Sequence, residues 1–339
     1  MRRVVENVEV INSARKYTRE RFRANSGPMG VTNQALPSGY QLLNYRIDRQ
    51  ISRGGFSIVY RAFDDSGAPV AIKEYLPSSL VLRTDGDIVR ASSAENLTSF
   101  RYGMKCFFEE GRALAKINHP NVVRVLNFFR ANETVYMVMR YERGRTLQQQ
   151  IQLRQDQMSE RLVRHVFMHL LNGLREVHTH KLLHLDIKPA NVYLRTDGSP
   201  VLLDFGAARQ TLTSARPKLA PMYTPGFAAP EQYREPDRLG PWTDVYGIGA
   251  SIFACLAAFA PQAADARLTE DHLVSAKKIW AGAYSENLLE VIDWCLRLDP
   301  LERPQSVFAL QKAIRDIPPK KRKLTFLGNL KKRLFTEVM

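Results

Sequence analysis

Asp186 and Lys188 stand two residues apart in His184-Leu185-Asp186-Ile187-Lys188-Pro189-Ala190-Asn191, and Asp204 follows in Val201-Leu202-Leu203-Asp204-Phe205-Gly206. Two carboxylates, a lysine and an amide at these spacings could bring a hydroxyl, a phosphate and a divalent metal to one place. Asn191 and Asp204 offer hard oxygen ligands of the kind Mg²⁺ accepts, which leaves Asp186 to accept a proton. The chemistry this set suggests is phosphoryl transfer.

Such groups need rigid support. Val163, Val166, Phe167, Leu170, Leu171, Leu174 and Val177 keep helical spacing and lead directly into the stretch, so a buried helix is expected there. His178, His180 and His184 end this helix at a spacing that could also form a metal cage, a less favoured reading because no cysteine ligand is near.

Upstream, Tyr45–Gln50, Ile58–Phe63 and Ala68–Tyr75 read as strands, rich in β-branched and aromatic residues. Ser52-Arg53-Gly54-Gly55-Phe56-Ser57 joins the first two, a turn whose backbone N–H groups could approach a phosphate. Lys73 ends Val70-Ala71-Ile72-Lys73 and, if directed at phosphate oxygens, requires an anionic partner. Glu110 is the candidate. It falls on the apolar face of Phe107, Leu114 and Ile117, where a carboxylate must be paired, whereas Glu109 points about 100° away. Val122–Arg130 and Thr134–Tyr141 form a further hairpin, and Gly144 marks a boundary before mainly helical sequence. Leu76–Ser99 reads as an irregular insertion. Helices are expected over Trp242–Ala260, Glu270–Trp280, Glu286–Arg297 and Gln305–Asp316.

The formal charge of +15 is concentrated in the ends of the chain. Residues 1–26 hold seven Arg/Lys and three Glu, and residues 318–339 hold seven Lys/Arg against Glu337 alone. A specific nucleic-acid surface would place its basic residues in the folded core, so none is expected. Three widely spaced cysteines, Cys106, Cys255 and Cys295, argue against a disulfide framework and for a reducing compartment. Met1-Arg2-Arg3 followed by polar residues predicts no secretory leader. Val245–Ala260 is short for a membrane span and reads as a buried helix.

The expected organisation is a basic, partly disordered arm (1–39), a two-lobed domain (40–143 and 144–317) and a basic amphipathic tail (318–339). The fold class is α+β, with a small five-stranded antiparallel lobe carrying one long helix, and a larger helical lobe. The tail mixes Leu324, Phe326, Leu327, Leu330, Leu334 and Phe335 with basic residues, a pattern suited to an anionic membrane surface.

With these pieces in order, residues 40–316 resemble the eukaryotic-type (Hanks-type) protein kinases, in the serine/threonine branch found in bacteria. The resemblance implies ATP with Mg²⁺ or Mn²⁺, protein substrates, autophosphorylation, and a cognate phosphatase or regulatory partner. It implies a cytoplasmic location, peripheral on the membrane if the tail binds there. Lys73 would pair with the ATP phosphates and with Glu110; Asp186 would orient the substrate hydroxyl; Lys188 would contact the transferred phosphate; Asn191 and Asp204 would hold the metal. Gly54, Gly55, Ser57, Val59 and Ala71 would surround the nucleotide, with Met139 as gatekeeper and Tyr141 in the hinge. Glu231 and Arg303 match the family's buried ion pair, Asp244 the brace of the catalytic loop, and Thr224 the substrate-loop threonine that contacts Asp186. A pseudokinase scaffold and a small-molecule kinase of the same broad fold are the alternatives.

Four positions depart from the family pattern, in three ways. Ser52 and Ser57 replace two loop glycines and lack their conformational freedom. Leu185 replaces the arginine before the catalytic aspartate, which in the family pairs with a phosphorylated loop. Ala190 stands where a glutamate often reads basic substrates. The leucine gives a test: single alanine substitutions of Thr211, Thr213 and Ser214 are expected to leave most of the phosphotransfer activity. Complete loss at one of them, in assays with labelled ATP, would contradict this.

Overall fold

The computed structural model describes residues 33–83, 86–153, 158–205 and 223–315. Its first layer is an antiparallel sheet. The strands are β1 (Gln41–Leu42), β2 (Tyr45–Arg53), β3 (Ser57–Phe63) and β4 (Pro69–Tyr75), then a small separate hairpin of β5 (Val81–Leu82) and β6 (Arg90–Ala91). β7 (Val125–Ala131) and β8 (Thr134–Arg140) return to the main sheet, whose order is β1-β2-β3-β4-β8-β7. The five expected strands are present. The sixth, β1, adds only the pairs Gln41↔Arg46 and Leu42↔Tyr45, too short for any alternation to show in sequence.

Strand alternation gives β4 two different faces. Val70, Ile72 and Glu74 point one way and are buried; Ala71, Lys73 and Tyr75 point the other. The Tyr75 ring packs on Phe100 and Phe107, 5.7 and 5.5 Å between centroids, which sets helix α1 (Ala94–Leu114) against the Lys73 face. Ser93 caps α1, its hydroxyl accepting from the Asn96 N–H at 3.2 Å.

Glu74 faces the opposite side, fully buried, and is paired with Arg83, itself only 2% exposed. Tyr60 and Tyr136 donate their hydroxyls to the same carboxylate at 2.7 and 2.6 Å. Arg83 also donates to the carbonyls of Gln34 (2.9 Å) and Asp87 (3.1 Å), and its own N–H donates to Asn33 Oδ1 at 2.6 Å. Ordered packing therefore begins before Tyr40: Leu36 lies in the core and donates its N–H to Tyr60. The stretch from Leu76, expected to be irregular, contains a helical turn and the β5–β6 hairpin, both organised on this ion pair.

The second layer begins at Gly144, whose φ of +154° lets it approach the backbone of Leu194; a Cβ there would lie 1.9 Å from that carbonyl oxygen. Here β9 (Gly144–Thr146), β10 (Val192–Arg195) and β11 (Pro200–Leu202) form a three-stranded sheet in the order β11-β10-β9. Glu142 and Arg195 bridge to it by two bonds of 2.8 and 2.9 Å. Helix α2 (Leu147–Leu153) precedes α3 (Glu160–Thr179), which buries all seven apolar residues expected on its stripe. Short α4 (Pro230–Arg234) leads to α5 (Pro241–Ala257), buried continuously from Thr243. No described helix is long and apolar enough to cross a membrane.

The remaining helices are α6 (Ala264–Arg267), α7 (Ala276–Ile279), α8 (Glu286–Cys295) and α9 (Val307–Arg315). The helix expected over Glu270–Trp280 is reduced to α7. Ser275 starts that turn by accepting from Lys278, and Asp293 accepts the Ala276 N–H at 2.6 Å, so the chain before it runs irregularly.

Arg83→Met would strand a buried carboxylate. Urea unfolding is expected to show a loss of about 3–5 kcal/mol, whereas Arg238→Met, at an exposed pair with Glu235, should change stability far less.

Candidate active site

α3 ends at Thr179, and the following loop carries Asp186 between two anchors. On one side Asp244, in the first turn of α5, accepts the N–H groups of His184 (2.9 Å) and Leu185 (2.7 Å) and the Nε2–H of His178 (2.8 Å). On the other, Gln232 of α4 donates to the Leu185 carbonyl at 2.9 Å. Leu185 is thereby held at φ +64°, a left-handed conformation that leucine rarely takes.

Asp186 lies at the centre of a hydrogen-bonded group. Lys188 Nζ is 2.9 Å from both of its carboxylate oxygens, and Asn191 Nδ2 donates to its carbonyl and to Oδ2, both at 2.8 Å. Thr224 donates to Asp186 Oδ1 at 3.1 Å and accepts from Lys188 at 2.6 Å. Asn191 Nδ2 also reaches the Asp204 carbonyl at 3.4 Å. Two oxygen-bearing side chains, Asn191 and Asp204, thus sit at one edge of the group, a donor set that fits a hard divalent cation.

Lys73 comes in from β4. Its ammonium is 3.1 Å from Asp204 Oδ1 and 5.7 Å from the centre of the Phe107 ring. Glu110, the partner expected from sequence, is half-buried on α1 and lines the same small cavity as Lys73, together with Phe56, Tyr75 and Phe205; Glu109 is exposed. The structure thus places Lys73 in one cavity with Glu110 and in an ion pair with Asp204.

The other expected nucleotide contacts occupy the sheet above. Val59 pairs with Lys73, and Ala71 pairs with Met139, which is buried where β8 approaches the lobe junction. Tyr141 follows, half-buried. Gly54 donates to the Ser57 carbonyl at 2.8 Å across the turn, Gly55 is exposed at its tip, and Ser57 is buried at its end. Glu231 and Arg303 form two bonds of 2.8 and 3.0 Å with almost no exposure, and Thr243 donates to the same carboxylate at 2.8 Å. Gly206, Thr211, Thr213, Ser214 and both basic ends lie outside the described residues. His178 and His184 are taken up by Asp244 and the loop, and no cluster of three metal-ligating side chains occurs among the described residues.

Sequence reasoning missed Glu74 and Gln232, and read His178 only as a possible metal ligand. A signal existed for Glu74, since alternation from Val70 and Ile72 puts it on their buried face. Nothing local marks the partner of Gln232 or of His178; each lies 47 or more positions away.

A family model, "Protein kinase domain", matches residues 45–314. Serine/threonine-protein kinase C of Synechocystis is 30% identical over 291 residues, covering 81% of this chain and 50% of that relative. PknL of Mycobacterium tuberculosis, also named a serine/threonine-protein kinase, is 28% identical over 70% of this chain and 55% of its own. The chain spans about half the length of these curated relatives. Among solved structures, the apo form of PpkA-294 superposes with a TM-score of 0.77 at 33% identity, covering 83% of this chain and 99% of that one.

Acid should loosen the loop from within. His184 is completely buried; its Nδ1 accepts the Asp186 N–H at 3.2 Å, so Nε2–H donates to the Leu203 carbonyl at 2.7 Å and the ring is neutral. Burial accordingly holds its pKa below the ordinary 6.5. Burial opposes the charge on Asp244 too, but the His178 hydrogen bond and the surrounding N–H groups outweigh it and keep the carboxyl below 3.8. For both groups the unfolded chain binds protons first as pH falls. The stabilisation from His184 is complete above 6.5 and is lost progressively below that value, while that from Asp244 is lost below 3.8. Urea unfolding at pH 7 and pH 5 is expected to show lower stability at pH 5, with a smaller difference in His184→Gln. Equal slopes in the two proteins would rule out this assignment.

Proposed function

Since the chain belongs to the protein kinase family, we propose that it is an ATP-dependent serine/threonine protein kinase, transferring the γ-phosphate to hydroxyls of protein substrates and of itself. The observation that carries this reading is the Asp186–Lys188–Thr224–Asn191 group, lying beside the Lys73–Asp204 pair.

The roles follow from charge and placement. Asp186 orients the substrate hydroxyl and accepts its proton as the oxygen attacks. Lys188, already on both Asp186 oxygens, neutralises charge on the phosphate in transit. Lys73 approaches the nucleotide phosphates from the opposite lobe, and Glu110 shares its cavity. Asn191 and Asp204 would hold Mg²⁺ or Mn²⁺, which when bound supplies further neutralisation of phosphate oxygens. Gly54, Gly55, Ser57, Val59, Ala71, Met139 and Tyr141 enclose the nucleotide. Phosphoryl transfer asks little covalent chemistry of a protein, so positioning and charge account for most of the catalysis.

Residues 40–143 and 144–317 are proposed as the two lobes, closing over ATP between them. A cytoplasmic location fits the three free cysteines; burial raises the thiol pKa of Cys255 and Cys295 and keeps both unreactive. Ala190 is exposed beside the catalytic group, which supports substrates without a strong basic requirement.

Lys73→Met and Asp204→Ala are each expected to lower phosphotransfer by at least about a hundredfold while the protein stays folded. Labelled ATP with Mg²⁺, followed by mass-spectrometric site mapping, reads the activity, and circular dichroism reads the fold. Wild-type rates in Lys73→Met would refute the assignment.

A further inference from the structure

The turn at Gly54–Phe56 is bonded to the chain that follows β4. Leu76 N–H donates to the Phe56 carbonyl at 2.7 Å, and Ser78 donates twice to the Gly55 carbonyl, through N–H at 2.9 Å and through Oγ at 3.2 Å. These bonds continue the β3–β4 ladder past its last pair, Ser57↔Tyr75, to the tip of the turn.

The anchor itself is rigid. Pro77 O accepts from Leu80 (2.9 Å) and Val81 (3.0 Å), closing a helical turn in which Leu80 and Val81 are buried. That turn runs into β5 and then to Arg83, which is locked on Glu74, while Ser92 holds the Leu80 carbonyl through both N–H (2.9 Å) and Oγ (3.0 Å) just before the α1 cap. Leu76–Arg83 is therefore tied to the strand carrying Lys73 and to the helix carrying Glu110.

We propose that Leu76–Ser78 is a latch on the phosphate-binding turn and that Ser78 is a positioning residue for ATP; this rests on the kinase reading above. In a trans peptide the C=O and N–H point in opposite directions, and the described chain has no cis bond. Fixing the carbonyls of Gly55 and Phe56 therefore fixes the directions of the Phe56 and Ser57 amides, the donors with which such a turn meets phosphate oxygens. Where glycine would let the turn search, this chain has Ser52 and Ser57, and the latch sets the amide directions from outside the turn.

Ser78 permits a graded test, because it is the first residue of a helical turn, where a proline backbone fits. Ser78→Thr keeps both donors, Ser78→Ala loses Oγ, and Ser78→Pro also loses the N–H. In the full chain, the ATP Kd from direct titration and the ATP KM are expected to stay near wild type for Thr, rise about two- to tenfold for Ala, and rise further for Pro. The kcat should stay within about twofold for Thr and Ala, and the melting temperatures of these two should match wild type. An unchanged ATP Kd in Ser78→Ala, or a loss confined to kcat, overturns the latch. If Ser78→Pro unfolds, the Thr and Ala pair decides. A wild-type chain that binds ATP but transfers no phosphate removes the kinase reading and leaves the latch to the Kd series. One that binds no nucleotide removes both.

Discussion

The loop that carries Asp186 depends on a buried carboxylate from a neighbouring helix. Asp244 is buried in the first turn of α5, where the helix N-terminus favours negative charge, and it spends its oxygens on the backbone of His184 and Leu185 and on the His178 ring. Holding leucine at a left-handed φ costs about 1–2 kcal/mol, and two N–H bonds to a charged acceptor offset that. The bend places Asp186 immediately after its highest curvature. Gly247 on the same helix comes within contact of Ile187, 3.0 Å from where a Cβ would stand, so α5 supports the loop by shape as well as by charge.

In the other lobe, one strand separates support from chemistry. β4 sends Lys73 to the site and Glu74, its neighbour, to the far face. A buried ion pair there gains little over a hydrophobic substitute but is very sensitive to loss of a partner. Its value lies in geometry: the guanidinium reaches Glu74, Gln34 and Asp87 together, so strand, N-terminal segment and insertion share one orientation. Tyr75 then transmits the position of β4 to α1 through two ring contacts, and α1 carries Glu110.

What was legible in the sequence follows from the range of each interaction. The α3 stripe, the buried face of α1 at Glu110 and the strands with alternating residues are local periodicities, and they were read with boundaries shifted by a few residues. The residues around Asp186 were legible because one short stretch carries most of them; Thr224 came from the resemblance. Arg83 was not, because its partners lie in β4, in the segment before β1 and in its own loop, and an arginine amid polar sequence looks solvated. The Lys73–Asp204 pair was also hidden, since it joins residues 131 positions apart and only the folded geometry shows it. β1 and the shortness of α7 were hidden for a simpler reason: two residues of strand and four of helix contain about one period, too little for a pattern to repeat.

Leu185 shows why a missing arginine need not mean a collapsed site. The chain uses this residue through its backbone, the N–H to Asp244 and the carbonyl to Gln232, and neither bond involves the side chain. An arginine there would add a handle for a phosphate without changing where Asp186 points. Thr224 already bonds Asp186 and Lys188, so its segment meets this group through a neutral hydroxyl. The lower side of the site is thus built from buried and half-buried groups already paired with one another. The upper side is different. Lys73 bonds Asp204 across the lobe junction, and the tip of the turn above it, at Gly55, is held by bonds to the exposed Ser78. Exposed hydrogen bonds open at lower free energy than buried networks, so the tip of the Gly54–Phe56 turn yields more easily than the loop that carries Asp186.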